Sequence, residues 1–293
     1  MVVERGTGVS SPWTWTFGRP AASPAEAQPS HPAAWPPGRA NPRLPYRVAV
    51  TATPFLASGV GVALVTIFAA DGEVDLKATA GRASRCVELG VSSILVAGTT
   101  GEADRLTVGD RVELAAAVKD SVPGVPVVVG TGQTSVDDAL EVSARLAAHG
   151  DADGLLVYCP EATEPDPFFG AIREAAGGRP VLAYHNPGLA ARELTTDELP
   201  TLDVDGVKDS SGSSNRLADL IELGMRVYVG SPTQLVLAGA CGAAGALLAL
   251  ANIAPTDCIA AWNGDAAAQR RLFTMHRESA HEFPACLKRR EPA

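Results

Sequence analysis

The chain has 293 residues, 46% of them hydrophobic, with a formal net charge of -9 and a pI near 5.1. That apolar content is enough for a sizeable core. The acidic balance gives no basic footprint for nucleic acid or an anionic membrane, so the expected partner is a small molecule. Its five cysteines, Cys86, Cys159, Cys241, Cys258 and Cys286, are odd in number and include no C-x-x-C pair. This disfavours a disulfide framework and a structural zinc, and it fits a reducing, cytoplasmic compartment. The longest apolar stretch, Ala243 to Ala251, is far shorter than the about 20 residues a membrane-spanning helix needs.

Residues 1–58 carry 10 of the 22 prolines and three of the four tryptophans, with no helical or strand period. They read as a Pro-rich disordered or extended segment. The stretch lacks the apolar run of an export signal, and its prolines would break the amphipathic helix of a transit peptide. A linker or a start codon placed too early are the remaining readings. From residue 59 the pattern changes. Eight apolar runs follow in order: Val62 to Thr66, Ser93 to Ala97, Pro126 to Val129, Gly154 to Tyr158, Pro180 to Tyr184, Asp205 to Lys208, Arg226 to Val229 and Ala246 to Leu250. Between them lie helical patterns at Leu76 to Leu89, Thr107 to Ser121, Val136 to His149 and Ser213 to Leu223. Continuous apolar runs alternating with amphipathic helices predict βα units around a parallel sheet. Eight units predict an α/β fold with a closed (β/α)8 TIM barrel over residues 59–262, followed by a truncated C-terminal helical extension over 263–293. The competitor is a doubly wound open sheet, but no G-x-G-x-x-G follows any run. Gly130-Thr131-Gly132 comes nearest and lacks the third glycine.

In such a barrel the active site lies at the C-terminal ends of the strands. Four polar strand ends converge there: Gly98-Thr99-Thr100-Gly101-Glu102, Tyr184-His185-Asn186-Pro187, Gly206-Val207-Lys208-Asp209-Ser210-Ser211-Gly212 and Gly230-Ser231. A lysine buried on an apolar strand is desolvated, which favours the neutral amine that attacks a carbonyl. Lys208 read alone also fits a lysine snorkelling from a strand end or paired with Asp209. The Gly98–Glu102 turn has the hydroxyls and glycine-flanked N–H groups of a carboxylate cradle. It equally suits an ordinary turn whose threonine caps the next helix. Tyr184 has the chemistry of a proton donor and acceptor in a short relay to Thr99, or is a half-buried tyrosine at a strand end.

Taken together, G-T-T-G-E, Y-x-N-P, G-V-K-D-S-S-G and G-S followed by A-L-A-N resemble the dihydrodipicolinate synthase and N-acetylneuraminate lyase family of pyruvate-dependent class I aldolases. The similarity runs over about residues 61–288, starting at Val62-Ala63-Leu64-Val65-Thr66-Ile67-Phe68. The last two motifs are most similar to the 4-hydroxy-2-oxoglutarate aldolase branch. The resemblance implies Lys208 as the Schiff-base lysine, Tyr184 as acid and base, and Thr99 as a relay member. It also implies substrate binding by Gly98, Thr100, Gly101, Gly230, Ser231 and Leu247. No metal or organic cofactor is implied, because the imine on Lys208 supplies the chemistry. The implied partners are a 2-oxo acid and further copies of the chain, as a dimer or tetramer. Dihydrodipicolinate synthase itself is an alternative, and so is a weakened barrel that only binds an oxo acid.

The chain departs from the family in places. The arginine expected about five residues after the tyrosine is missing, and Arg192 is the first to follow. The tyrosine pair expected after the fourth strand is replaced by Tyr158-Cys159-Pro160-Glu161-Ala162. Only 24 positions separate Tyr184 from Lys208, so the helix near Thr196 to Leu199 should be little more than a turn. His276 and His281, five apart, do not share a helix face and read as surface residues, while His185 should point away from Tyr184. Asn252 is expected to tie down a loop.

Overall fold

The computed structural model describes Leu56 and residues 58–132, 135–189 and 192–293. The Pro-rich assignment of residues 1–58 therefore lies almost wholly outside the described residues. Eight strands, β1 (Val60–Ala63), β2 (Ser93–Val96), β3 (Val127–Gly130), β4 (Gly154–Tyr158), β5 (Val181–His185), β6 (Gly206–Asp209), β7 (Val227–Val229) and β8 (Gly245–Leu248), form a closed barrel in sequence order. All pairs are parallel, and Val60↔Ala246 with Gly61↔Leu247 closes the ring.

The helices are α1 (Leu76–Glu88), α2 (Val108–Ser121), α3 (Val136–His149), α4 (Pro165–Ala175), α5 (Ser214–Glu222), α6 (Leu235–Ala240), α7 (Pro255–Trp262), α8 (Ala266–Ser279) and α9 (Ala285–Lys288). Local sequence sets where they begin. Asp75, Thr107, Ser135, Ser213 and Asp265 each accept a first-turn N–H through the side chain, and Thr107 with Asp110 forms a reciprocal capping box. Between β5 and β6 the helix shrinks to the 3-10 turn Leu199–Thr201, as the short spacing predicts.

Strand alternation divides the core in two. Ile94 and Val96, Val127 and Val129, and Leu155 and Val157 face outward under the helices. Leu95, Val128, Leu156, Leu182, Tyr228 and Leu247 fill the barrel interior. Tyr184 shares the interior, and Lys208 lies level with it in the β5–β6 register. The same period sends His185 and Asp209 outward. Asn252, fully buried after β8, bridges the barrel closure: Nδ2 donates to Ala63 O at 2.7 Å and Ala249 O at 2.8 Å, and Oδ1 accepts from Val65 N at 3.1 Å. It ties the β1 and β8 exits together, the role expected of it.

Candidate active site

The C-terminal ends of the strands open into a cavity of about 600 Å³. Thr99, Thr100, Tyr184, Lys208, Gly230, Ser231 and Leu247 line it. Gly98 lines a smaller hollow behind Thr99, shared with Tyr158 and Tyr184. Gly101 is buried behind the wall, where its N–H bonds to Gly98 O at 2.9 Å and its carbonyl accepts from Thr66 Oγ1 at 2.7 Å. Seven of the nine residues assigned from sequence thus reach the main cavity, and two shape the turn that bounds it.

Lys208 is 5% exposed, and its Nζ sits 4.4 Å from the centre of the Tyr184 ring. Its neighbour Asp209, fully buried on the outer face, accepts from Arg216 Nε at 3.2 Å and from Ser211 Oγ at 2.7 Å. Asp209 is therefore committed to Arg216 on the far side of the sheet, which removes the Lys208–Asp209 pairing left open by the sequence. A side chain at position 230 would collide with Ser210 Oγ and crowd Lys208 Cε, so glycine there leaves the lysine its space.

The Tyr184 hydroxyl accepts from Asn186 Nδ2 at 3.0 Å and is also hydrogen-bonded to Thr99 and Ser210. Burial pushes the phenol pKa up, but the Lys208 charge and these hydrogen bonds outweigh it and hold the phenol below its ordinary value. Thr99 and Tyr184 are thus linked, as expected, while Asn186 and Ser210 are contacts the sequence pattern placed nearby without assigning. Tyr158 pairs in register with Tyr184, with ring centres 6.2 Å apart, and its phenol is pushed up to about 12 by burial and the neighbouring Tyr184. Glu161 is exposed.

The turn carrying Thr99 and Thr100 is held from behind. Ala97 and Glu102, at its two ends, both have left-handed backbone (φ 52° and 54°), which costs non-glycine residues about 1–2 kcal/mol each. Glu102 is anchored by Arg105 and by Lys288 of α9. Arg111 of α2, 5% exposed, donates to Ala103 O and Thr131 O at 2.5 Å and to Leu106 O at 3.1 Å. It pins the end of the turn to the exit of β3. A side chain at Gly132 would strike the Arg111 guanidinium, and at Gly130 the backbone of Ala97. The Gly130-Thr131-Gly132 pattern is thus a clearance for the brace. Arg111→Met should lower unfolding free energy by about 3–5 kcal/mol, since it strands three buried carbonyls. Urea denaturation checks this, and an unchanged midpoint would mean that water replaces the guanidinium.

Elsewhere, His185 is buried on the outer face with Nε2 3.8 Å from Asp209 Oδ1. Burial and the Arg216 charge depress its pKa, which suits a neutral structural imidazole. His276 is exposed as expected, yet it lines the cavity mouth from α8 together with Ser279. Helical spacing carries no signal for that. Arg192 opens onto a separate pocket and donates to Glu198 Oε1 at 3.0 Å.

The dihydrodipicolinate synthetase family model matches residues 56–280. The chain belongs to that family. It is therefore one of the pyruvate-dependent class I aldolases, which are lyases. Curated relatives named 4-hydroxy-tetrahydrodipicolinate synthase include one from Dechloromonas aromatica, 31% identical over 243 residues, covering 76% of this chain and 83% of the relative. Another, from Corynebacterium aurimucosum, is 34% identical over 228 residues, covering 73% and 75%. Among solved structures, YagE of E. coli K12, a prophage protein of the family in complex with pyruvate, has a TM-score of 0.70 and 26% identity, covering 79% of this chain and 85% of that one.

Proposed function

We propose that the protein makes and breaks a carbon–carbon bond next to the carbonyl of pyruvate through an imine on Lys208. The observation that carries this reading is the placement of the lysines. The chain has four, and Lys208 is the one that lines the cavity. Lys119 pairs with Asp153, Lys288 with Glu102, and Lys77 is exposed on α1.

The Lys208 amine adds to the pyruvate C2 carbonyl, and the carbinolamine oxygen leaves as water. Loss of a proton from C3 of the iminium gives an enamine. The enamine attacks an aldehyde carbon while the aldehyde oxygen takes up a proton, and water then hydrolyses the imine to release the product and free the lysine. Tyr184, hydrogen-bonded to Thr99, gives and takes the protons at these oxygens. Thr100 and the turn around it hold the pyruvate carboxylate opposite the imine.

Incubating the full chain with pyruvate and borohydride should reduce the iminium to a stable adduct, which peptide mass mapping should place on Lys208. A protein that binds pyruvate without any adduct would instead be an oxo-acid-binding barrel. The last two motifs favour a 4-hydroxy-2-oxoglutarate aldolase, whereas the curated relatives carry synthase names. In both cases the aldehyde partner carries a carboxylate of its own.

A further inference from the structure

We infer that Lys288 is a positioning residue for pyruvate: through Glu102 it holds the Thr99–Thr100 turn in the shape that receives the substrate carboxylate. This rests on the Schiff-base reading above and adds a residue that lies behind the cavity wall. Lys288 stands on α9, 186 positions from Glu102, yet its Nζ is hydrogen-bonded and ion-paired to Glu102 Oε1. The other oxygen, Oε2, accepts from Arg105 Nη1 at 2.8 Å, so each carboxylate oxygen has a cation of its own. Burial raises the Glu102 carboxyl pKa, but these two partners outweigh it and hold the group below the ordinary carboxylate range. The half-buried Phe68 ring takes both cations as well, with Arg105 Cζ 3.7 Å and Lys288 Nζ 4.6 Å from its centre.

The backbone that carries Lys288 is fixed to the barrel. Arg82 of α1, 7% exposed, donates to Leu287 O at 3.1 Å, Lys288 O at 3.2 Å and Arg290 O at 2.9 Å. The same guanidinium reaches Asn252 O at 3.3 Å, where Asn252 ties the β1 and β8 exits together. Arg105, by contrast, is a local partner three residues from Glu102, with 46% of its side chain exposed. Of the two cations, Lys288 is therefore the one that connects Glu102 to a distant, anchored element.

Glu102 needs that anchor because of its backbone. The Gly101 and Ala103 N–H groups close onto Gly98 O at 2.9 and 3.3 Å, and the Glu102 N–H closes onto Thr99 O at 3.1 Å. Thr66 holds the Gly101 carbonyl and Arg111 the Ala103 carbonyl, one on each side. Glu102 sits between them at φ 54°, a left-handed conformation that a non-glycine residue leaves when nothing holds it. Without Lys288, the turn spends part of its time relaxed at Glu102, and pyruvate must restore the strained shape on binding. Such a conformational tax lowers apparent affinity and leaves the bound state unaltered. The flanking braces from Thr66 and Arg111 keep the turn folded, so the loss falls on substrate binding.

The test titrates pyruvate against borohydride trapping on Lys208 in the full chain, which needs no aldehyde partner. Lys288→Met should raise the half-saturating pyruvate concentration by about five- to twentyfold, the factor that one left-handed residue corresponds to. The adduct formed at saturating pyruvate should stay at the wild-type level, and Lys288→Arg should restore half-saturation to within about twofold. Glu102→Gln should weaken pyruvate binding too, and adding Lys288→Met to it should cost little more, because both changes break one link. A half-saturation in Lys288→Met within about twofold of wild type would overturn the inference and leave the imine standing. So would tighter pyruvate binding in Glu102→Gln, which is the mark of a charge acting through space, or a lower plateau at unchanged half-saturation, which is the mark of lost folded protein. Absence of an adduct in the wild-type chain would overturn both readings.

Discussion

Lys208→Met is expected to abolish the borohydride adduct with pyruvate and to lower kcat/KM for carbon–carbon bond formation by roughly 10⁴-fold or more, the scale on which losing a covalent nucleophile is felt. The loss should be chemical and not structural. Lys208 makes no ion pair among the described residues, since the buried carboxylate beside it, Asp209, is held by Arg216. Methionine has nearly the volume of lysine, so it fills the same space against the Tyr184 ring without leaving a cavity. Replacing a buried ammonium by an apolar chain is often neutral or stabilising, so the urea midpoint should hold or rise. A second readout belongs to the same change. The Lys208 charge is the chief influence holding the Tyr184 phenol down, so in Lys208→Met that phenol should titrate at higher pH, visible as a shifted tyrosinate absorbance. An adduct that persists in the variant and maps to Lys77, Lys119 or Lys288 would sink the assignment.

Much of the fold and of the site is legible in the sequence for a specific reason. Strands buried on both faces read as unbroken apolar runs, and each of the eight runs overlaps a strand. The first is displaced: the apolar run spans Val62 to Thr66, while β1 spans Val60–Ala63. The apolar pattern continues past the point where pairing stops, because Val65 N is taken by Asn252 and the Thr66 hydroxyl by Gly101 O. Lys208 and Tyr184 were legible because period-two alternation puts both inside. What the sequence did not reveal depends on chain segments meeting at a distance. His276 reaches the cavity only because α8 returns over the barrel mouth. Arg111 looks like any helix arginine until Gly132 is seen to make room for it. Arg192 stands in the right loop, but its geometry turns it toward Glu198.

Tyr184→Phe should lower kcat by about 10²–10⁴-fold, the usual contribution of a positioned acid–base group, while still allowing the adduct on Lys208 to accumulate slowly. The ring itself is kept, so its packing beside Tyr158 and under the lysine is unchanged and only the hydroxyl is lost. The pH dependence follows from the direction of the shift. Burial would raise the phenol above the ordinary value of about 10, but Lys208, Thr99, Asn186 and Ser210 together bring it below. The form that donates a proton is therefore lost as pH rises through that lowered value, and kcat should fall along an alkaline limb beneath the ordinary tyrosine range. Thr99→Val removes one of the lowering hydrogen bonds, so the limb should move to higher pH as kcat drops. In Tyr184→Phe the limb should vanish. A phenylalanine variant that keeps both wild-type kcat and the alkaline limb would show that another group, with Tyr158 the nearest phenol, moves the proton.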